Sequence, residues 1–242
     1  MFPALKRKGG ASKRVPLGAI LALAGQPPPD RAKSQDVQSL SDGDLRGRLG
    51  ELGVDAAADA PRESLETALG IVASPDFWRR HHDLHPNKSR VKNWLWVHSR
   101  FRTQAHDLVE MAEALSKDGN APKSNLRAKF AKFSGKIESH SQFEDTQLFK
   151  YFYDHHPSCK AEMDDLQKQH TDLRQAQGIN AALEKDGADM GEVLLLLKAY
   201  EEELLRHLEA EERALVHRWL NLDAQQYKQY RTYLSWVYGA MY

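Results

Sequence analysis

Four stretches of the chain carry apolar residues at the alternating four- and three-residue spacing of a helix-bundle seam, and each seam is interrupted at one level by histidine. The first seam runs Trp94, His98, Phe101, Ala105, Leu108, Ala112, Leu115. The second runs Leu126, Phe130, Phe133, Ile137, His140, Glu144, and then Leu148 or Tyr151. The third runs Met163, Leu166, His170, Leu173 and drifts toward Ala176, and the fourth runs Val193, Leu197, Tyr200, Leu204, His207, Glu211, Ala214. Between the seams lie "SKDGNAPKS" (116–124), "DHHPSC" (154–159) and "KDGADMG" (185–191), all rich in turn-forming residues. Long helices joined by short loops predict an all-α, up-down-up-down four-helix bundle. A last segment, "DAQQYKQYRTYLSWVYGAMY", predicts an extra aromatic C-terminal helix packed against it or docking another chain.

The interruptions fall at one height. In an antiparallel hairpin two residues are level when the turn lies midway between them. His98 and His140 have their midpoint at residue 119, His140 and His170 at 155, and His170 and His207 at about 188.5, each inside a turn. His98, His140, Glu144, His170, His207 and Glu211 are therefore expected to share one layer of the core. Burying that many polar groups costs several kcal/mol for each one left unsatisfied, unless something ties them together. A transition metal does so, because imidazole and carboxylate suit iron, zinc, manganese or copper. Six side chains exceed the needs of one tetrahedral zinc. Two carboxylates on different helices can each bridge two ions, which points to a dinuclear centre.

Composition narrows the remaining classes. With 34 basic and 34 acidic side chains in 242 residues there is no global positive field for nucleic acid. The single cysteine, Cys159, leaves no internal disulfide and suits a reducing, intracellular compartment. The longest apolar run, "VPLGAILALAG" (15–25), is too short to span a bilayer. Residues 1–29 hold Lys6, Arg7, Lys8, Lys13 and Arg14 without an acid, as an organelle-targeting, nuclear-import or disordered basic tail would. The sequence thus reads as a basic flexible tail at 1–35, a small helical module at 36–72, and the bundle with its extra helix at 77–242.

The small module, "DLRGRLGELGVD" followed by "ESLETAL", resembles the SAP motif, some members of which bind DNA. Its eight acids against three arginines disfavour phosphate contacts, leaving protein docking or capping as its expected use. The histidine-rich "RRHHDLHP" (79–86) has no carboxylate or cysteine at ligand spacing and is expected to be a solvated lead-in to the bundle.

The larger resemblance spans roughly residues 90–220. "VHSRFR" (97–102), "HSQFE" (140–144), "LQKQHTDL" (166–173) and "HLEAEE" (207–212) look like the hemerythrin-like, or HHE cation-binding, domain. That resemblance implies a non-haem di-iron centre used for reversible oxygen binding or for sensing iron or oxygen. It implies ligands His98, His140, Glu144, His170, His207 and Glu211, with Glu144 and Glu211 as bridges. Classical oxygen carriers have a second histidine one turn after that of the third helix, where this chain has Arg174. His106 falls off the seam, while Glu212 and Asp145 are turned about 100° from their neighbours by the helical period. The expected function is binding of two iron ions and an oxygen species by a sensor, store or scavenger. Other transition metals remain open, and an oxidase activity is compatible with such a centre although no substrate is indicated. The alternative is a scaffold that docks in a larger assembly through its acidic module or its aromatic helix.

Overall fold

The computed structural model describes residues 14–23, 37, 39–117, 123–174, 177–185 and 189–241, without the side chains of 177 and 233–241. The chain divides into two compact units. One runs to Val91 and takes in Val216–Asn221, and the other comprises Lys92–Leu215 and the segment from Leu222.

In the first unit, β1 (Val15–Pro16) pairs in parallel with β2 (Val54–Asp55), and α1 (Leu17–Leu23) follows directly with Leu17 and Ile20 buried. This part of the 1–35 segment is therefore structured. Its apolar "VPLGAIL" finds partners that a reading of composition cannot supply. Residues 1–13 and 24–35 of that segment lie outside the described residues. Helix α2 (Asp42–Glu51) opens on a capping box, in which Ser41 and Asp44 each accept from the other's backbone N–H. Helix α3 (Arg62–Val72) starts after Pro61 and buries Leu65, Ala68, Leu69 and Val72, one stripe at helical spacing. Arg62 ties the starts of the two helices together through Asp42 at 2.9 Å.

Helix α4 (Pro75–His81) buries Phe77 and Trp78, and two short 3-10 turns then lead to Val91. The expectation of a solvated lead-in fails at His85, which is 1% exposed. Its ring meets Trp78 edge-on at 4.6 Å, and Nδ1 accepts the Asn87 N–H at 3.1 Å. Burial drives its pKa down to about 4, so it is a neutral core group. Asn87 and Arg90 donate to the carbonyl oxygen of Leu220, satisfying an acceptor that a helix end leaves open.

His85 also packs against Gly53, whose φ of +81° is the one positive value among the described residues. A Cβ there would sit 2.8 Å from His85 Nε2. Gly53→Ala is expected to destabilise this unit by at least about 1–2 kcal/mol, from the backbone strain alone. A urea melt followed by the fluorescence of the buried Trp78 checks this, and an unchanged midpoint would refute it.

The second unit holds α5 (Lys92–Lys117), α6 (Ser124–Phe143), α7 (Phe149–His155), α8 (Lys160–Arg174), α9 (Gln177–Glu184), the greater part of α10 (Met190–Asn221), and α11 (Ala224–Met241). Side-chain contacts fix their directions. Gln104 meets Lys136 while Met111 meets Lys129, so α5 and α6 are antiparallel. Arg127 meets Glu184 while Arg174 meets Glu138, reversing the chain again, and Arg102 meets Glu212 while Glu113 meets Lys198, placing α10 antiparallel to α5. The result is an all-α, up-down-up-down bundle. Its core interlocks aromatic rings, with Phe101 against Phe133 at 6.2 Å and Phe130 against Tyr200 at 5.9 Å. Helix α11 packs on α7, where Tyr230 lies 5.1 Å from the Tyr151 ring and Tyr151 Oη donates to the Gln226 carbonyl at 2.9 Å. The side chains of Tyr233, Trp236 and Tyr238 lie outside those described.

The bundle departs from α-helical geometry between α6 and α7. Residues Glu144–Leu148 form a π turn there, closed by the Phe149 N–H donating to the carbonyl of Glu144, five residues back. Such turns cluster at functional sites because they re-aim side chains.

Candidate metal centre

Each bundle helix contributes to one polar layer. His98 comes from α5, His140 from the end of α6, Glu144 from the π turn, His170 from α8, and His207 with Glu211 from α10. His98, Glu144, His170 and Glu211 are fully buried, His207 is buried, and His140 has 14% of its side chain exposed. Apolar residues close the layer on both sides. Phe149 stacks on His170 at 5.5 Å, Trp94 packs tilted against His98 at 3.9 Å, and Phe101 meets His140 edge-on at 5.1 Å.

The six groups turn their polar atoms toward one another. His140 Nε2 lies 3.2 Å from His98 Nε2 and 3.1 Å from Glu144 Oε1. Opposite them, His170 Nε2 and His207 Nε2 are each 3.2 Å from Glu211 Oε1. The second oxygens cross over. Glu144 Oε2 approaches His170 Nε2 at 3.6 Å, and Glu211 Oε2 approaches His98 Nε2 at 3.5 Å. Each carboxylate thus gives one oxygen to the His98–His140 pair and one to the His170–His207 pair. Both crossing oxygens are buried without a hydrogen-bond partner. Buried carboxylate oxygens are costly to leave so, and a cation between the pairs would satisfy both. Among the described residues, the groups spaced to hold a metal are His98, His140, Glu144 and Glu211 on one side and His170, His207 and Glu211 on the other.

Electrostatics reflects the crowding. Burial alone would favour neutral imidazoles, yet the Glu144 and Glu212 carboxylates outweigh it at His98 and hold its pKa at about 9. At His170, Asp145 and Glu211 overcome burial in the same way and raise it to about 10. Glu211 feels the opposite pull: burial opposes its charge, but His207 and His170 keep its carboxyl well below the usual range.

Behind the layer stands a second rank that spacing does not reveal. Trp94 Nε1 donates to Glu144 Oε1 at 2.6 Å, so a residue that reads as pure seam also fixes a carboxylate. Glu212 and Asp145, set aside by the helical period, do not join the inner six. They lie against the far nitrogens, at His98 Nδ1 (3.1 Å) and His170 Nδ1 (2.7 Å). Gln169 Oε1 stands 3.1 Å from His207 Nδ1. Arg174 pairs with Asp145 at 2.6 Å. The signal for Arg174 in the sequence is its position four residues after His170, on the same helical face. His106 is exposed and pairs with Glu201 at 3.3 Å, away from the layer.

His140 opens on a groove of about 670 Å³ between α5 and α6, lined among others by Trp96, Arg100, Lys132 and Lys136. No helix among the described residues is long and apolar enough to cross a membrane.

Residues 90–219 match the family described as Hemerythrin HHE cation binding domain. No curated protein and no solved structure matches the chain.

Proposed function

Because the chain belongs to the hemerythrin HHE cation-binding family, we propose that its polar layer is a dinuclear non-haem iron centre. His98 and His140 would hold one ion, His170 and His207 the other, and Glu144 and Glu211 would bridge them. The observation that carries this reading is the crossing of the two carboxylates, each with one oxygen toward either histidine pair. Imidazole and carboxylate are a donor set suited to iron, and the two buried Oε2 atoms, which accept no hydrogen bond, are acceptors a cation would satisfy.

Bound iron would supply coordination and redox chemistry toward dioxygen or a related small molecule. The chain's own residues supply the setting. Phe149, Trp94 and Phe101 pack against the imidazoles and keep bulk water away. Trp94 Nε1 donates to Glu144 and orients it as a bridge. The groove at His140 is the path by which a small molecule would reach the layer. Arg174 stands where classical carriers place a further histidine and is engaged with Asp145. We therefore assign the centre to sensing or storing iron or oxygen rather than to carrying oxygen.

Purification in iron-supplemented medium tests the reading. About two irons per chain are expected, with near-ultraviolet charge-transfer absorbance in aerobic protein, and both are expected to vanish together in His140→Ala/Glu144→Ala. Metal-free protein whose melting temperature is the same with and without added iron would overturn it.

A further inference from the structure

The residues behind the imidazoles form two matching chains. In one, Arg174 Nη2 donates to Asp145 Oδ2 at 2.6 Å, and Asp145 Oδ1 accepts from His170 Nδ1 at 2.7 Å. In the other, Arg102 Nη1 donates to Glu212 Oε1 at 2.8 Å, and the same oxygen accepts from His98 Nδ1 at 3.1 Å. The two have different origins. Arg174 shares α8 with its histidine and reaches an acid in the π turn, while Arg102 shares α5 with its histidine and reaches an acid on α10. His98 and His170 belong to opposite histidine pairs, so each half of the layer has one such chain. The other histidine in each half lacks it: His207 is backed by the neutral amide of Gln169, and His140 borders the groove.

We infer that Asp145 and Glu212, each clamped by its arginine, are positioning residues that fix the tautomers of His170 and His98 and set how tightly each half of the centre holds its ion. The inference rests on the dinuclear reading and adds its control. A carboxylate can only accept, so the shared proton sits on Nδ1 and Nε2 is the nitrogen left to give its lone pair to an ion. Carboxylates in this position raise the basicity of a metal-binding imidazole and hold its ring plane. The arginines hold each carboxylate in place by charge-assisted hydrogen bonds, so that it orients the ring instead of turning toward solvent. Arg174, which interrupts the pattern of an oxygen carrier, thereby acquires a role: it supports a candidate ligand from behind.

Stepwise zinc(II) loading of the full chain, followed by chelator competition, tests this with a redox-silent probe. Asp145→Asn and Glu212→Gln keep side-chain size and remove charge. Each is expected to weaken one of the two ions by about 10–100-fold and leave the other within about twofold, while the double variant weakens both. The 15N shifts of the zinc-loaded protein add a readout that packing alone does not move. His98 and His170 are expected as Nδ1–H tautomers in the wild type, with the His170 signal perturbed in Asp145→Asn and the His98 signal in Glu212→Gln. Should either of these fold poorly by circular dichroism, Arg174→Gln and Arg102→Gln test the same chains with the carboxylates intact, each again weakening one ion. Variants that bind both ions as the wild type does, or that weaken both equally, overturn the inference. A folded wild type that takes up no zinc or iron overturns the dinuclear reading itself, a separate result.

Discussion

Glu211→Ala is expected to purify with iron at background and to melt roughly 10 °C below the wild type even when both are stripped of metal. Glu211 lies within 3.5 Å of the Nε2 atoms of His98, His170 and His207, and no other side chain of the layer approaches three imidazoles so closely. Removing it takes oxygens from both ions at once. It also leaves His98 and His170, held at about 9 and about 10, charged in the core with one balancing carboxylate fewer. Breaking a buried ion pair from one side costs about 3–5 kcal/mol, and for a chain of this size about 1 kcal/mol corresponds to roughly 2–4 °C. Glu202→Ala, on the exposed side of the same helix, is the control and should change neither quantity. Iron content by elemental analysis and apo melting by calorimetry decide the matter. A Glu211→Ala protein with two irons per chain would end the bridging assignment.

The second large effect is a steep pH dependence of metal uptake. In the metal-free protein the folded pKa values of His98 and His170 lie above the ordinary 6.5. The stability these two groups contribute is therefore fully present below about pH 6.5 and is lost as pH rises through 9 to 10. Each ion needs the Nε2 lone pair of the raised histidine in its own half and displaces one proton from that ring, while Nδ1–H stays with its carboxylate. Between pH 6.5 and about 9, the apparent affinity for each ion should then rise by up to about tenfold per pH unit, and the constant for loading both by up to about 100-fold. The apo bundle loses stability as alkali removes the same protons. Zinc(II) competition at pH 6.5, 7.5 and 8.5, with calorimetry in buffers of different ionisation enthalpy to count protons, measures both. Affinity independent of pH over that range would show that the two imidazoles are not protonated in the apo layer.

The bundle and the height of its polar layer were legible because both follow from regular spacing. The seam through Phe130, Phe133 and Ile137 identifies a buried face, and His140 and Glu144 continue it, so their burial follows from the period. Equidistance from the turns then brings His98, His170 and His207 to the same height. The first unit was less legible. Val15 and Ile20 are buried through pairing with Val54 and packing in a small unit that no periodic signal announces. His85 looked like part of a solvated cluster because its partners Trp78 and Gly53 are brought to it by tertiary contacts alone.

Asp145 lies outside the inner layer, as the helical period predicts, yet the period does not reveal its place behind His170. An ideal helix turns it about 100° from Glu144, and it sits in the π turn that the Phe149 N–H closes on the Glu144 carbonyl. Asp145 then reaches His170 Nδ1, and Arg174 can reach Asp145.

The sequence by itself determined that four histidines and two glutamates lie at one level of an all-α bundle. A helix is a rigid ruler, and residues on one ruler keep their heights whatever packs against them. Only the tertiary structure decided which carboxylate crosses to which histidine pair, and which acid and arginine stand behind each imidazole. Those contacts run between helices, over a few ångströms set by side-chain rotamers and one local π turn, and no repeat along a single chain encodes them.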